Sequence, residues 1–111
     1  MAPVGIDRWP LRRLRVRGPS MAPTLRDGDV LLVSFRREPA PGAIVLVRWA
    51  ARPDQLSVKR AVERVGQQGV GQQWHVLGDN QFASTDSREL GPAQVLGVAT
   101  FRLWPRPGRL T

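Results

Sequence analysis

Apolar residues in this chain fall in short runs separated by turn chemistry. VLLV at 30–33 and AIVLV at 43–47 are continuous, and each follows a turn, RDGD at 26–29 and EPAPG at 38–42. This is the pattern of strands buried on both faces, predicted here as Val30–Phe35 and Ala43–Trp49. Leu14 and Val16 alternate with arginines and predict an earlier strand with one buried face. ARPD at 51–54 ends the third strand. LSVKRAVERV at 56–65 fits helix or strand: the β-branched valines favour strand, while Ala61 and Glu63 weaken that signal. Glycines and glutamines at 66–73 predict a hairpin loop, and Trp74–Leu77 a short strand. A polar loop, GDNQFASTDSRELGP at 78–92, leads to a final strand over Val95–Leu103 that stops at Trp104-Pro105, with RPGRLT as a frayed tail.

Many short strands with Gly/Pro turns predict a mostly β architecture, a partly open barrel or a pair of packed sheets. At 111 residues the chain suits one domain, 1–111, with its core over about 14–105 and flexible ends at 1–13 and 106–111. No apolar run approaches the roughly 20 residues of a membrane-spanning helix, and the N-terminus lacks the apolar stretch of a secretory signal. A cytoplasmic location is expected, with peripheral membrane contact through Trp9 and the N-terminal arginines as a further option.

Composition then narrows the chemistry. Cysteine is absent, which excludes disulfides, thiolate metal sites and a cysteine nucleophile. A single histidine, His75, cannot build a multi-histidine metal site, and no metal or cofactor is expected. Asp27 and Asp29 read as turn residues. The net charge of +8 would attract polyanions, but the arginines are scattered and no aromatic-interleaved basic motif accompanies them, so nucleic acid is not the expected partner. Of the 17 basic residues, all but one are arginine. The exception is Lys59. Lysine can release its proton inside a protein, whereas arginine effectively cannot.

Ser20 is the matching oddity. It stands in RGPSMAPTLRDGD at 17–29, between Gly18-Pro19 and Met21-Ala22-Pro23-Thr24. A serine hydroxyl is a poor nucleophile until a base takes its proton. The bases available are His75, carboxylates and Lys59. A Ser-His-Asp triad using His75 and Asp79 is formally open, but WHVL around His75 reads as a short strand where a structural histidine is commoner. An ordinary lysine amine, with a pKa of about 10.4, is neutral in only about one molecule in a thousand near pH 7.4. Bringing it to roughly 7–8 requires about 3.5–5 kcal/mol, usually supplied by desolvation. Lys59 therefore needs an apolar wall, expected from the neighbours of Val58 and from the strand around Val30–Val33.

Three segments together carry a resemblance. GPSMAPTLRDGDVLLV at 18–33, SVKRAVERV at 57–65 and GDNQFASTDSRELG at 78–91 resemble, in order, the nucleophile, lysine and G-D-N…S-x-D-S-R segments of the signal peptidase I family. PGAIVLV at 41–47 is similar to a further box of that family, with Ala43 where Asp is usual. The resemblance implies the serine–lysine dyad peptidase fold shared with the LexA-type self-cleaving proteins. It implies Ser20 as nucleophile, Lys59 as general base and Ser84 as the hydroxyl that orients the amine. Asp86 and Arg88 are then the pair that pins the loop, joined by Arg60, while Asp79 and Asn80 shape it and Met21 helps to mount the serine. The Ser20 N–H is one oxyanion donor; where some relatives use a serine hydroxyl this chain has Gly18, leaving its backbone or water as the second.

Function follows as expectation: a serine endopeptidase whose partner is a protein precursor. Membrane anchors and the larger accessory β domain of signal peptidase I are missing from the sequence given, and the Gly66–Gln73 connection is too short for the latter. In size the chain is similar to the nickel-type superoxide dismutase maturation proteases, which trim a leader. Two alternatives stay open: generic signal peptidase processing of exported proteins, and a noncatalytic basic β module that binds nucleic acid or protein.

Overall fold

A computed structural model of the chain describes residues 10–69 and 71–110. The membrane-contact option at Trp9 lies outside them. Seven strands and one helical turn follow in order: β1 (Leu11–Arg15), β2 (Val30–Ser34), β3 (Ile44–Arg48), β4 (Ser57–Val65), β5 (Gln73–Leu77), α1 (Ser87–Leu90), β6 (Ala93–Trp104) and β7 (Gly108–Arg109). The mostly β reading is correct, and the ambiguous 56–65 segment is a strand.

The strands form one antiparallel sheet in the order β1-β2-β6-β3-β4-β5, with β7 added to β6. The 12-residue β6 organises it, pairing with β2, β3, β5 and β7. Register shifts against both β2 and β3 let this strand bend. Its Gly97 is required by close approach: a Cβ there would stand 2.7 Å from Val33 Cγ1 and 2.9 Å from the Ser34 carbonyl. At the far side Gln73 and Trp74 of β5 meet Gln94 and Ala93 of β6, so β3 to β6 close on one another over two residue pairs. The result is a single curled sheet, neither a regular barrel nor two separate packed sheets.

The core lies on both sides of β3, and strand alternation explains why. Val45 and Val47 join one cluster with Trp49, Ala61, Trp74, Val76 and Val98. Ile44 and Leu46 join a second with Met21, Leu25, Leu31 and Val33. All four aliphatic side chains of β3 are buried, worth about 1.5–3 kcal/mol each in apolar transfer. This is the physical content of the continuous IVLV run.

Two ends depart from expectation. β1 starts at Leu11 and pairs along Leu11–Arg15 with Val30–Ser34, taking in residues read as flexible. At the other end β6 runs on to Trp104, and its exposed edge is covered by Gly108 and Arg109, with Leu110 donating to the Thr100 carbonyl. An unpaired strand edge supplies the hydrogen bonds that order this tail.

Candidate active site

Ser20 sits in the connection 16–29 that joins β1 to β2 through several turns. Met21 and Leu25, 1% and 0% exposed, anchor this turn in the second core cluster. The Ala22 N–H donates to the Pro19 carbonyl and the Leu25 N–H to the Met21 carbonyl, closing consecutive turns around the serine. Gly18, with φ of +81°, makes the bend that a side chain would strain. Its N–H donates to Asp27 Oδ1 at 2.8 Å. The Gly18 amide offered by the sequence as second oxyanion donor is therefore already engaged by the turn.

Lys59 enters from β4. It is 4% exposed, and its register partner is Val45. Alternation along β4 puts it on the face of Val45 and Ala61, in the first core cluster, not against Leu31 and Val33, which belong to the second. Burial depresses the Lys59 amine below its ordinary 10.5, only partly opposed by the negative charge of Asp86. Nζ donates to Ser84 Oγ at 3.2 Å, and Ser84 Oγ in turn donates to Asp86 Oδ2 at 3.0 Å. Because the hydroxyl proton is committed to Asp86, Ser84 offers its lone pairs to the amine and fixes its position.

Asp86 is the electrostatic centre of the 78–91 loop and is completely buried. Burial alone would raise its carboxyl. Hydrogen bonds from Arg88, from the Gly78 and Arg88 amides and from Ser84 outweigh that and hold it at about 2. It also caps α1, accepting from the Arg88 N–H, with Glu89 three positions on. That D-x-x-E spacing is a helix-start signal the sequence offered and the loop reading passed over.

The two halves of the site are tied together at residues 78–80. The Asn80 N–H donates to the Ser20 carbonyl at 2.8 Å, and Asn80 Nδ2 to the Pro19 carbonyl at 3.2 Å. Asp79 accepts from Thr24 Oγ1 at 2.6 Å and from Arg60 Nη2 at 2.6 Å, bridging the serine turn to β4. Burial would raise the Asp79 carboxyl, but these two partners hold it below its usual value. Arg60, expected with Asp86 and Arg88, thus pairs with Asp79. It follows Lys59 directly and points to the opposite face of the strand, away from the buried Asp86 side.

Ser20 and Lys59 line one cavity of about 600 Å³, together with Thr85 and the apolar side chains of Val16, Leu46, Val58 and Leu90. Residues 10–81 match the Peptidase S24-like family. The chain belongs to that family. It is also 35% identical, over 89% of its length and 74% of the other, to the mitochondrial ATP-independent inner membrane protease subunit 1a of Arabidopsis thaliana. The protein is a protease of the Peptidase S24-like family, within the LexA and signal peptidase superfamily.

The family assignment leaves several residues to be placed by structure alone. His75 stands on β5 opposite Glu63 and is not among the residues lining the Ser20 cavity, so the histidine triad has no geometric basis. Asp29 caps the Arg26 amide and pairs with Arg102, and Asp27 serves Gly18, which accounts for both turn acids. Trp49 and Trp74 are core residues, whereas Trp104 is exposed. Sequence reasoning missed Gly78. A Cβ there would collide with Ser84 Oγ and lie 2.6 Å from Ser84 Cβ and 2.7 Å from the Ser20 carbonyl. Only glycine lets the Ser20 turn and the Ser84 loop approach so closely. The signal was in view, since this glycine opens the G-D-N segment, but its reason is purely tertiary.

Proposed function

We propose that this family member is a serine endopeptidase in which Ser20 is the nucleophile and Lys59 the general base, and that it removes a leader from a protein precursor. The observation that carries the reading is the chain's one lysine, buried on the wall of the cavity that Ser20 also lines, with its amine held by Ser84. A buried amine with a depressed pKa is what lysine base catalysis requires.

In the proposed cycle the neutral Lys59 amine accepts the Ser20 hydroxyl proton as Oγ bonds to the scissile carbonyl carbon. The resulting oxyanion takes a hydrogen bond from the Ser20 N–H. As the intermediate collapses, the Lys59 ammonium returns the proton to the leaving amine, and an ester remains on Ser20. Lys59 then takes a proton from water, whose oxygen attacks the ester, and the second collapse reprotonates Ser20.

For the substrate, the short Gly66–Gln73 connection, which leaves no room for the accessory β domain of signal peptidase I, favours the leader of a nickel-type superoxide dismutase precursor, processed in the cytoplasm. The similarity to a protein named as an inner membrane protease favours a second reading, signal-peptidase-like cleavage of exported proteins. No helix among the described residues is long and apolar enough to cross a membrane. A precursor-cleavage assay with Ser20→Ala and Lys59→Arg tests the dyad. Both variants are expected to lose cleavage, since arginine keeps the charge but cannot act as a base. Cleavage by Lys59→Arg at the parental rate would discard the proposed base. Presenting the two precursor types side by side, with and without anionic vesicles, separates the substrate readings.

A further inference from the structure

The cavity that holds Ser20 is apolar at its floor and cationic at its rim. Arg15, the last residue of β1, and Arg17 just beyond it line the cavity, as does Arg52 from the loop before β4. All three are exposed, and among the described residues none is in an ion pair. One acid, Asp54, lines the same cavity, so the rim carries a net excess of positive charge. Arginines elsewhere near the site are consumed by structure: Arg60 by Asp79, Arg88 by Asp86 and Arg102 by Asp29. Arg15, Arg17 and Arg52 differ from the other unpaired surface arginines in lining the cavity that also holds Ser20 and Lys59.

We propose that Arg15, Arg17 and Arg52 are specificity determinants that select peptide substrates carrying an Asp or Glu close to the cleaved bond. This rests on Ser20 being the nucleophile, because that fixes where the bond lies. Arg17 and Arg15 precede Ser20 by three and five positions. All three residues line one cavity, so a substrate seated over Ser20 carries the residues flanking the cleaved bond past the two guanidinium groups. A carboxylate there gains charge-assisted hydrogen bonds from a planar guanidinium, while a lysine or arginine meets like charge. The apolar floor accepts the uncharged side chains between.

The test separates selection from catalysis. Fluorescein-labelled peptides, matched except for a Glu, Gln or Lys near their centre, are titrated against the Ser20→Ala protein, which binds without cutting. The same peptides unlabelled are given to the parent and cleavage is read by mass spectrometry. The expected result is binding of the Glu peptide roughly fivefold tighter than the Lys peptide at low salt, a preference that shrinks as salt rises. Arg15→Glu/Arg17→Glu should reverse the order. Arg37→Glu/Arg109→Glu, the same charge change at a separate cavity, should leave it intact. Equal affinity for all three peptides, or a preference that the remote double variant abolishes equally, would overturn the proposal. A Glu preference in binding with no cleavage by the parent would sink the nucleophile reading while leaving the selection in place.

Discussion

At the scale of one residue, the proposed base Lys59 is a buried amine with a depressed pKa. Its folded-state pKa lies below 10.5, so between those two values the unfolded chain binds the proton that the folded chain has released. Burying this amine therefore costs stability, in full below the depressed folded value and progressively less as pH rises toward 10.5. Replacement by methionine, similar in length and uncharged, should abolish cleavage while leaving the protein at least as stable as the parent at pH 7. That advantage should shrink with rising pH in urea titrations. Cleavage by the parent should rise with pH and level off at a midpoint below the ordinary lysine value, as kcat/KM profiles would record. Ser84→Ala frees the Lys59 amine from the hydroxyl that holds it and is expected to lower kcat by about 10- to 100-fold with little change in fold.

At the scale of elements, the 78–91 loop decides whether the serine turn and β4 face each other. Gly78 is its tightest point. Gly78→Ala forces the loop away from the Ser20 carbonyl and Ser84, an overpacking change expected to cost about 1–3 kcal/mol. Cleavage should fall out of proportion to that loss, measurable by comparing kcat with the urea midpoint. Asp86 holds the same loop from within. With a carboxyl at about 2 in the folded state against 3.8 unfolded, it contributes stability that is complete above pH 3.8. About 2 kcal/mol should disappear as pH falls through that interval. Asp86→Asn should be less stable at pH 7 and show a correspondingly flatter acid titration.

Across the whole molecule, the site depends on contacts between segments far apart in sequence. Thr24 reaches Asp79 over 55 positions, and Arg60 reaches the same carboxylate from β4. The serine turn is otherwise anchored through Met21 and Leu25 in one core cluster, while Val45, the register partner of Lys59, belongs to the other. Asp79 and Asn80 are thus struts between two packed bodies of one sheet. A double-mutant cycle with Thr24→Val and Arg60→Met should give a coupling energy of about 0.5–1 kcal/mol in stability. If Ser20 and Lys59 act as proposed, the accompanying fall in kcat should exceed the rise in KM, because their alignment is what changes.

Much of this was legible in the chain. The continuous IVLV run dictated a strand buried on both faces, period-2 alternation placed Lys59 and Arg60 on opposite sides, and a single lysine among arginines marked the candidate base. Those inferences depend on local patterning and on which side chains can change charge, and both are properties of sequence. Which acid would meet Arg60, which core would wall in Lys59, how the chain ends pair, and why position 78 must lack a side chain were decided only in three dimensions. Each depends on the curl of the sheet, which brings β5 against β6 and the 78–91 loop onto the serine turn. Strand periodicity is silent about that closure, because it is set by packing between segments that no local pattern connects.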